Sequence, residues 1–165
     1  MTPIRVLWSA PRSRSTAFER MMVERGDHHV VHEPFSHVVD FGASTVGAVT
    51  PSDQHGVMDA LSALREPVFV KDTTDFRYVD LLAAKEFLRR CTHAFLIREP
   101  AAAIASHARL VPEPDRDEVG FAWLYEIYAR VVEVTGQEPV VLSSDDLVRD
   151  PPGAVRAYCA AVGLA

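Results

Sequence analysis

Two arginines and three hydroxyl residues stand together in the stretch Pro11-Arg12-Ser13-Arg14-Ser15-Thr16, between the apolar run Ile4–Trp8 and a segment with helical spacing. Hydroxyl and guanidinium groups are strong donors to oxyanions, and arginine can meet a phosphate or sulfate through two parallel hydrogen bonds. The first turn of a helix adds unpaired backbone N–H groups and partial positive charge. The composition and the position both point to a bound anion. A purely structural reading competes with it. Thr16 and Glu19 have the T-x-x-E spacing of a capping box, and the arginines could serve only as solvated charge. An ordinary Walker A loop is excluded, because no glycine lies between Ala10 and Gly26.

A second stretch, Phe95-Leu96-Ile97-Arg98-Glu99-Pro100, repeats the theme. Arg98 ends an apolar run, Pro100 suits the first turn of a helix, and Ser106 falls two turns inside it. Taken alone, a strand-end arginine and a serine in an alanine-rich helix are ordinary surface features.

The elements that must hold these residues alternate. Strands are expected at 4–9, 29–32, 68–71, near 92–99 and near 139–144. Helices are expected at 15–25, 54–65, 78–90, 101–110, 119–135 and 152–162. Residues 35–53 are rich in Gly, Ser and Thr and read as one long loop. The strands are continuous apolar runs rather than alternating ones, as in a parallel sheet covered on both faces. The fold class is therefore α/β: a single domain over 1–165, with a central parallel sheet of about five strands flanked by helices. Ligands of such sheets sit at the carboxyl ends of the strands, where both Arg12–Thr16 and Arg98 lie.

Composition sets the outer bounds. The chain has 165 residues, 48% hydrophobic and 24% charged, enough for a substantial core. Its formal net charge of −6 argues against broad nucleic-acid binding, so any bound anion must be met by a local cluster. No apolar run reaches the roughly 20 residues of a membrane span, and the N-terminal run lacks a signal-peptide pattern. A cytoplasmic protein is expected. Cys91 and Cys159, the two cysteines, imply neither a disulfide framework nor a metal cluster, and the seven histidines show no zinc-ligand spacing.

Together, "PRSRST" and the later R-x-P-x5-S pattern of Arg98, Pro100 and Ser106 resemble the two phosphate-binding motifs of sulfotransferases that use 3′-phosphoadenosine 5′-phosphosulfate (PAPS). The stretch "VVLSSDDLVRDPPGAVRAYCAAVGL" resembles that family's strand, acidic turn and final Gly-Leu helix. The resemblance runs from residue 4 to residue 164 and implies a P-loop nucleotide-kinase-like sheet. It implies that Arg12 occupies the basic position of the 5′-phosphosulfate loop, with Ser13, Ser15, Thr16 and backbone N–H groups from Arg14 onward. Arg98 and Ser106 would hold the 3′-phosphate. Arg14 stands where many members have glycine, a departure that adds charge and bears on how the loop turns.

The same resemblance assigns catalytic roles. Lys71, in "FVKDTTD", stands where relatives carry an active-site lysine. Asp72 either orients it or caps the next helix. His32 and Glu33 are both candidates for the general base. Neighbours on a strand point to opposite faces, so one of them is expected to face the site. A glutamate at a similar place in protein-tyrosine sulfotransferases favours Glu33. The histidine base of the cytosolic branch would fall near Thr73, where no histidine stands. The implied reaction transfers a sulfuryl group to a hydroxyl or amine of a small-molecule acceptor, without a metal. The acceptor pocket would be built from residues 35–53 and 111–119. Family members commonly continue into a Gly- and Trp-containing segment that closes over the nucleotide. A sequence ending at Ala165 implies a more open site, a segment further downstream, or weakened PAPS binding. The alternatives are a nucleotide- or anion-binding domain or a degenerate relative with other chemistry, and, less favoured, a small-molecule kinase, which would need Mg²⁺ and a P-loop lysine.

Overall fold

The computed structural model describes residues 2–113, 115 and 117–165. The elements in order are β1 (Ile4–Ser9), α1 (Ser15–Arg25), β2 (His29–His32), α2 (Pro34–Asp40), α3 (Gln54–Ala63), β3 (Val68–Thr73), α4 (Val79–Ala83), α5 (Lys85–Arg90), β4 (Cys91–Ile97), α6 (Pro100–His107), α7 (Phe121–Thr135), β5 (Val140–Ser143), α8 (Ser144–Arg149) and α9 (Pro151–Ala161). The five strands form one all-parallel sheet in the order β2-β3-β1-β4-β5. From β1 the chain moves toward one edge, and from β4 toward the other. Their carboxyl ends therefore bracket the crevice where ligands of open parallel sheets bind.

The strands are apolar on both faces because both are covered. Ile4, Val6 and Trp8 of β1 and Val68 and Val70 of β3 pack with Phe35, Leu61, Leu81, Leu88 and Leu124 from α2, α3, α4, α5 and α7. Leu7, Phe69, Ala94 and Leu96 pack on the other face with Phe18 and Met22 of α1 and Tyr158 of α9. Each fully buried Leu or Phe contributes roughly 1.5–3 kcal/mol, so these two layers fix the strand ends in place. Cys91 and Cys159 belong to opposite layers and are buried free thiols, in keeping with the expected lack of a disulfide. Among the described residues, no helix is long and apolar enough to cross a membrane.

Several local expectations change. Residues 35–53 are not one loop, because α2 occupies their beginning. Pro34 starts that helix, and Asp72 of β3 accepts hydrogen bonds from the backbone N–H of Phe35 at 2.7 Å and of Ser36 at 3.2 Å. Asp72 thus caps the helix after β2, not the one after its own strand. The expected single helix over 78–90 divides into α4 and α5 at Ala84, whose backbone leaves the helical region at φ −81° and ψ 67°. A short helix, α8, follows β5 directly, with Ser143 Oγ accepting from the N–H of Asp145 at 3.2 Å and of Asp146 at 3.4 Å. Within the expected acceptor segment 111–119, residues 114 and 116 lie outside the described residues. Helix α7 starts after Gly120, two residues later than its periodicity predicts. That glycine has φ +75°, and a Cβ there would stand 2.6 Å from Pro11 Cδ and from the Thr74 carbonyl oxygen. No other residue lets α7 approach the loop after β1 so closely.

Candidate functional site

The loop after β1 turns through two arginines in the left-handed region, Arg12 and Arg14, each at φ 65°. For a residue with a side chain this costs roughly 1–2 kcal/mol. Arg14 therefore adopts a conformation that glycine would favour, and the loop keeps its turn at the expense of strain. Left-handed residues in such a turn let backbone N–H groups converge on an anion. No side chain caps α1. The T-x-x-E box is not formed: α1 begins at Ser15, Thr16 is exposed, and Glu19 turns to His32 instead, with Oε2 2.8 Å from Nδ1. The first N–H groups of α1 thus remain without a side-chain partner.

The loop after β4 is joined to this turn. Arg98 donates from Nη1 to the carbonyl oxygen of Arg12 at 2.8 Å, and Arg12 donates from Nε to Ser106 Oγ at 3.1 Å. Glu99 caps α6 by accepting from the N–H of Ala101 and Ala102. On the other side Arg14 bonds Asp145 Oδ1 at 2.9 Å, tying the loop to the acidic turn of α8. Sequence segments more than 80 residues apart meet here through named contacts.

The carboxyl ends of β2 and β3 supply the rest. Lys71, at 2% exposure, is ion-paired with Glu33 Oε1. Lys71 is buried and Glu33 is partly exposed, so the ion pair holds the Glu33 carboxylate over the buried ammonium. The expectation that His32 and Glu33 point apart does not hold. Glu33 lies one residue beyond β2 and is left-handed at φ 45°, which swings its carboxylate to within 3.6 Å of His32 Nε2. His37, one turn along α2, places Nε2 3.9 Å from the same oxygen, Glu33 Oε2. Asp72 is fully buried beneath them. Burial pushes its carboxyl well above the usual range, against the pull of three backbone N–H donors from Phe35, Ser36 and Thr73. Tyr78 is raised too, first by burial and then by the charges of Asp72 and Asp75.

One cleft of about 560 Å³ takes in Arg12, Ser13, Arg14, Ser15, Thr16, Glu33, Lys71, Arg98 and Ser106, while His32, His37, Asp72 and Tyr78 are not among its lining residues. The residues assigned to the two loops are therefore in one place with Lys71 and Glu33, whereas the other candidate base, His32, does not line the cleft. Sequence reasoning gave no role to Thr73 and Asp75, which also line it. Thr73 Oγ1 and Ser36 Oγ both donate to Asp75, at 2.9 and 3.1 Å. Their signal was the polar tail "DTTD" at a strand end. Four cations face two carboxylates in this cleft, a local surplus of positive charge on a chain of net charge −6. Ser13 Oγ and the Arg98 Nε are buried there without a hydrogen-bond partner. Orphaned donors are costly, and an oxyanion between the two loops would satisfy them.

A family model described as a sulfotransferase domain matches residues 4–165. The chain is 29% identical over 167 residues to branched-chain-amino-acid aminotransferase-like protein 1 of Arabidopsis thaliana, a match covering 92% of this chain and 28% of that protein. It thus spans little more than a quarter of the length of that curated relative. By structure it is similar to a sulfotransferase from Alicyclobacillus acidocaldarius, with a TM-score of 0.64, 15% identity and coverage of 100% of this chain and 82% of the other. A mouse sulfotransferase in complex with PAP gives 0.58, 12% identity and coverage of 99% and 60%. A shikimate kinase from Bacteroides thetaiotaomicron gives 0.52, 13% identity and coverage of 98% and 99%, which extends the likeness of fold to P-loop kinases.

Proposed function

The chain belongs to the sulfotransferase-domain family, and from that membership we propose that it transfers a sulfuryl group from PAPS to a hydroxyl or amine of a small-molecule acceptor. The observation that carries the proposal is the pair of contacts joining the loops after β1 and β4: Arg98 to the Arg12 carbonyl, and Arg12 to Ser106. A nucleotide with phosphates at both 5′ and 3′ positions needs two anion sites on adjacent strand ends, and the placing of these two cationic loops side by side supports that reading. The mouse relative crystallised with PAP has the same fold.

In this reading Ser13, Ser15, Thr16 and the open N–H groups of α1 hold the 5′-phosphosulfate, with Arg12 and Arg14 beside it. Arg98 and Ser106 hold the 3′-phosphate. Glu33 accepts the acceptor's proton at Oε2, since Oε1 is engaged by Lys71. The acceptor oxygen or nitrogen forms a bond to sulfur while the bond from sulfur to the 5′-phosphate oxygen breaks. The electron pair leaves on PAP, and Arg12, Lys71 and the loop N–H groups stabilise that charge. Fixed cations supply what Mg²⁺ supplies in P-loop kinases, so the proposed step needs no metal. The buried thiols of Cys91 and Cys159 fit a reducing compartment, and the proposal takes the cytoplasm as its setting.

The test is release of PAP from PAPS in the presence of phenolic, sugar and amine acceptors. Acceptor-dependent release that disappears in Glu33→Gln is the expected result. Tight binding of PAP with no release for any acceptor would make the domain a nucleotide-binding module. Turnover of ATP with Mg²⁺ in its place would make it a kinase.

A further inference from the structure

We propose that His32, Glu33 and His37 form a binding site for a divalent transition metal of the zinc class, and that occupancy of this site switches off the base. Glu33 Oε2 is 3.6 Å from His32 Nε2 and 3.9 Å from His37 Nε2, and the three candidate ligand atoms lie within 4.8 Å of one another. Metal–nitrogen and metal–oxygen bonds of about 2.0–2.1 Å bring tetrahedral ligands to roughly 3.3 Å from each other. Small side-chain rotations therefore close the site. His37 can make one because it is in the last turn of the short helix α2 and is partly exposed.

The atoms behind the three ligands are arranged as metal sites require. Histidine ligands usually carry a carboxylate on the second ring nitrogen, which fixes the tautomer and aims the first. Glu19, almost fully buried, does this to His32, with Oε2 2.8 Å from Nδ1, leaving Nε2 directed at Glu33. Lys71 engages Oε1 of Glu33, so Oε2 is the oxygen left for a ligand role. Two imidazoles and one carboxylate suit Zn²⁺, Co²⁺ or Fe²⁺ rather than Mg²⁺ or Ca²⁺, and three protein ligands leave positions open for water. Binding is ligand exchange only: bound water is replaced by two neutral imidazole nitrogens and one carboxylate oxygen. The spacing in "HEPFSH" escaped the sequence reading because the two histidines are on different elements, and the left-handed turn at Glu33 folds one over the other.

Inhibition by the metal rests on Glu33 being the base; binding does not. The metal would hold Oε2, the atom that must take the acceptor's proton. The experiment is a titration of the metal-free protein with Co²⁺, read by visible d–d absorption, followed by competition with Zn²⁺. His37→Ala is expected to weaken Co²⁺ binding by at least about ten-fold, and Glu19→Gln to weaken it by a smaller factor. PAP release without metal should be unchanged in His37→Ala, and the inhibition by Zn²⁺ seen in the parent should be lost. Absence of a Co²⁺ spectrum in the parent protein, or identical titrations for the parent and His37→Ala, overturns the site. Turnover of PAPS in metal-free buffer is measured separately, so failure of the proposed reaction and failure of the metal site give different results.

Discussion

The Arg98 guanidinium donates to the backbone carbonyl oxygen of Arg12 at 2.8 Å. One arginine thereby braces the strained, left-handed turn that carries the other. The loop after β1 and the loop after β4 are thereby joined side to side.

Arg12→Ala should lower kcat by about 10²-fold or more while raising KM for PAPS much less. In the proposed reaction the charge facing Arg12 would grow as PAP departs, so its contribution would be largest in the transition state. Thr16→Ala serves as the stability control. Thr16 caps nothing, so its variant should stay within about 0.5 kcal/mol of the parent in urea unfolding. Unchanged kcat in Arg12→Ala would remove the arginine from the chemistry.

Glu33→Gln keeps the shape of the side chain and removes the base, so the rate should fall by roughly 10²–10⁴. His32→Asn should cost much less, since its ring is already tied to Glu19. Both are best measured at saturating PAPS and several pH values, with circular dichroism confirming the fold. The reverse ranking would make His32 the base.

Asp72 holds the start of α2, and α2 holds Glu33. Asp72→Ala would leave the buried N–H groups of Phe35 and Ser36 without their acceptor. A loss of about 1–3 kcal/mol in urea unfolding is expected, together with a drop in turnover as Glu33 loses its fixed position. Full stability in this variant would mean that α2 is held by packing alone.

His93 makes the fold acid-sensitive. Its Nδ1 accepts from Trp8 Nε1 at 3.1 Å and its Nε2 donates to the Leu88 carbonyl at 2.9 Å, so the buried ring is neutral. Burial holds its pKa down at about 4, below the ordinary value of 6.5. Between these values the unfolded chain binds the proton and the folded chain does not. Stability is therefore fully present above about pH 6.5 and declines as pH falls toward 4, by on the order of 3 kcal/mol. His93→Gln can keep both hydrogen bonds and should flatten that slope in thermal melts over the same range. An equal slope in the variant would assign the acid sensitivity to other groups.

The sheet was legible because its strands are unbroken apolar runs, and the cationic edge was legible because Arg12, Lys71 and Arg98 follow such runs. The parts that escaped depend on distant partners. Helix α2 has weak periodicity of its own and takes its cap from Asp72, some 37 positions away in β3. The T-x-x-E spacing at Thr16 was misleading because Glu19 finds a better partner in His32, across the turn between α1 and β2. The left-handed backbone at Glu33 broke the alternation rule that separates strand neighbours, bringing His32 and Glu33 together. Spacing along the chain carries no trace of any of these contacts.

The central claim is that the two joined loops read a nucleotide phosphorylated at both the 5′ and 3′ positions. Titration calorimetry with PAP, 5′-AMP and ATP plus Mg²⁺, on the parent and on Arg98→Ala, tests it most directly. A desolvated arginine–phosphate contact contributes roughly 1.5–3 kcal/mol, so PAP should bind the parent at least about ten-fold more tightly than 5′-AMP. Arg98→Ala should erase most of that preference while leaving 5′-AMP nearly unaffected. Equal affinity of the parent for PAP and 5′-AMP, equal weakening of both by Arg98→Ala, or a preference for ATP with Mg²⁺ would contradict the account.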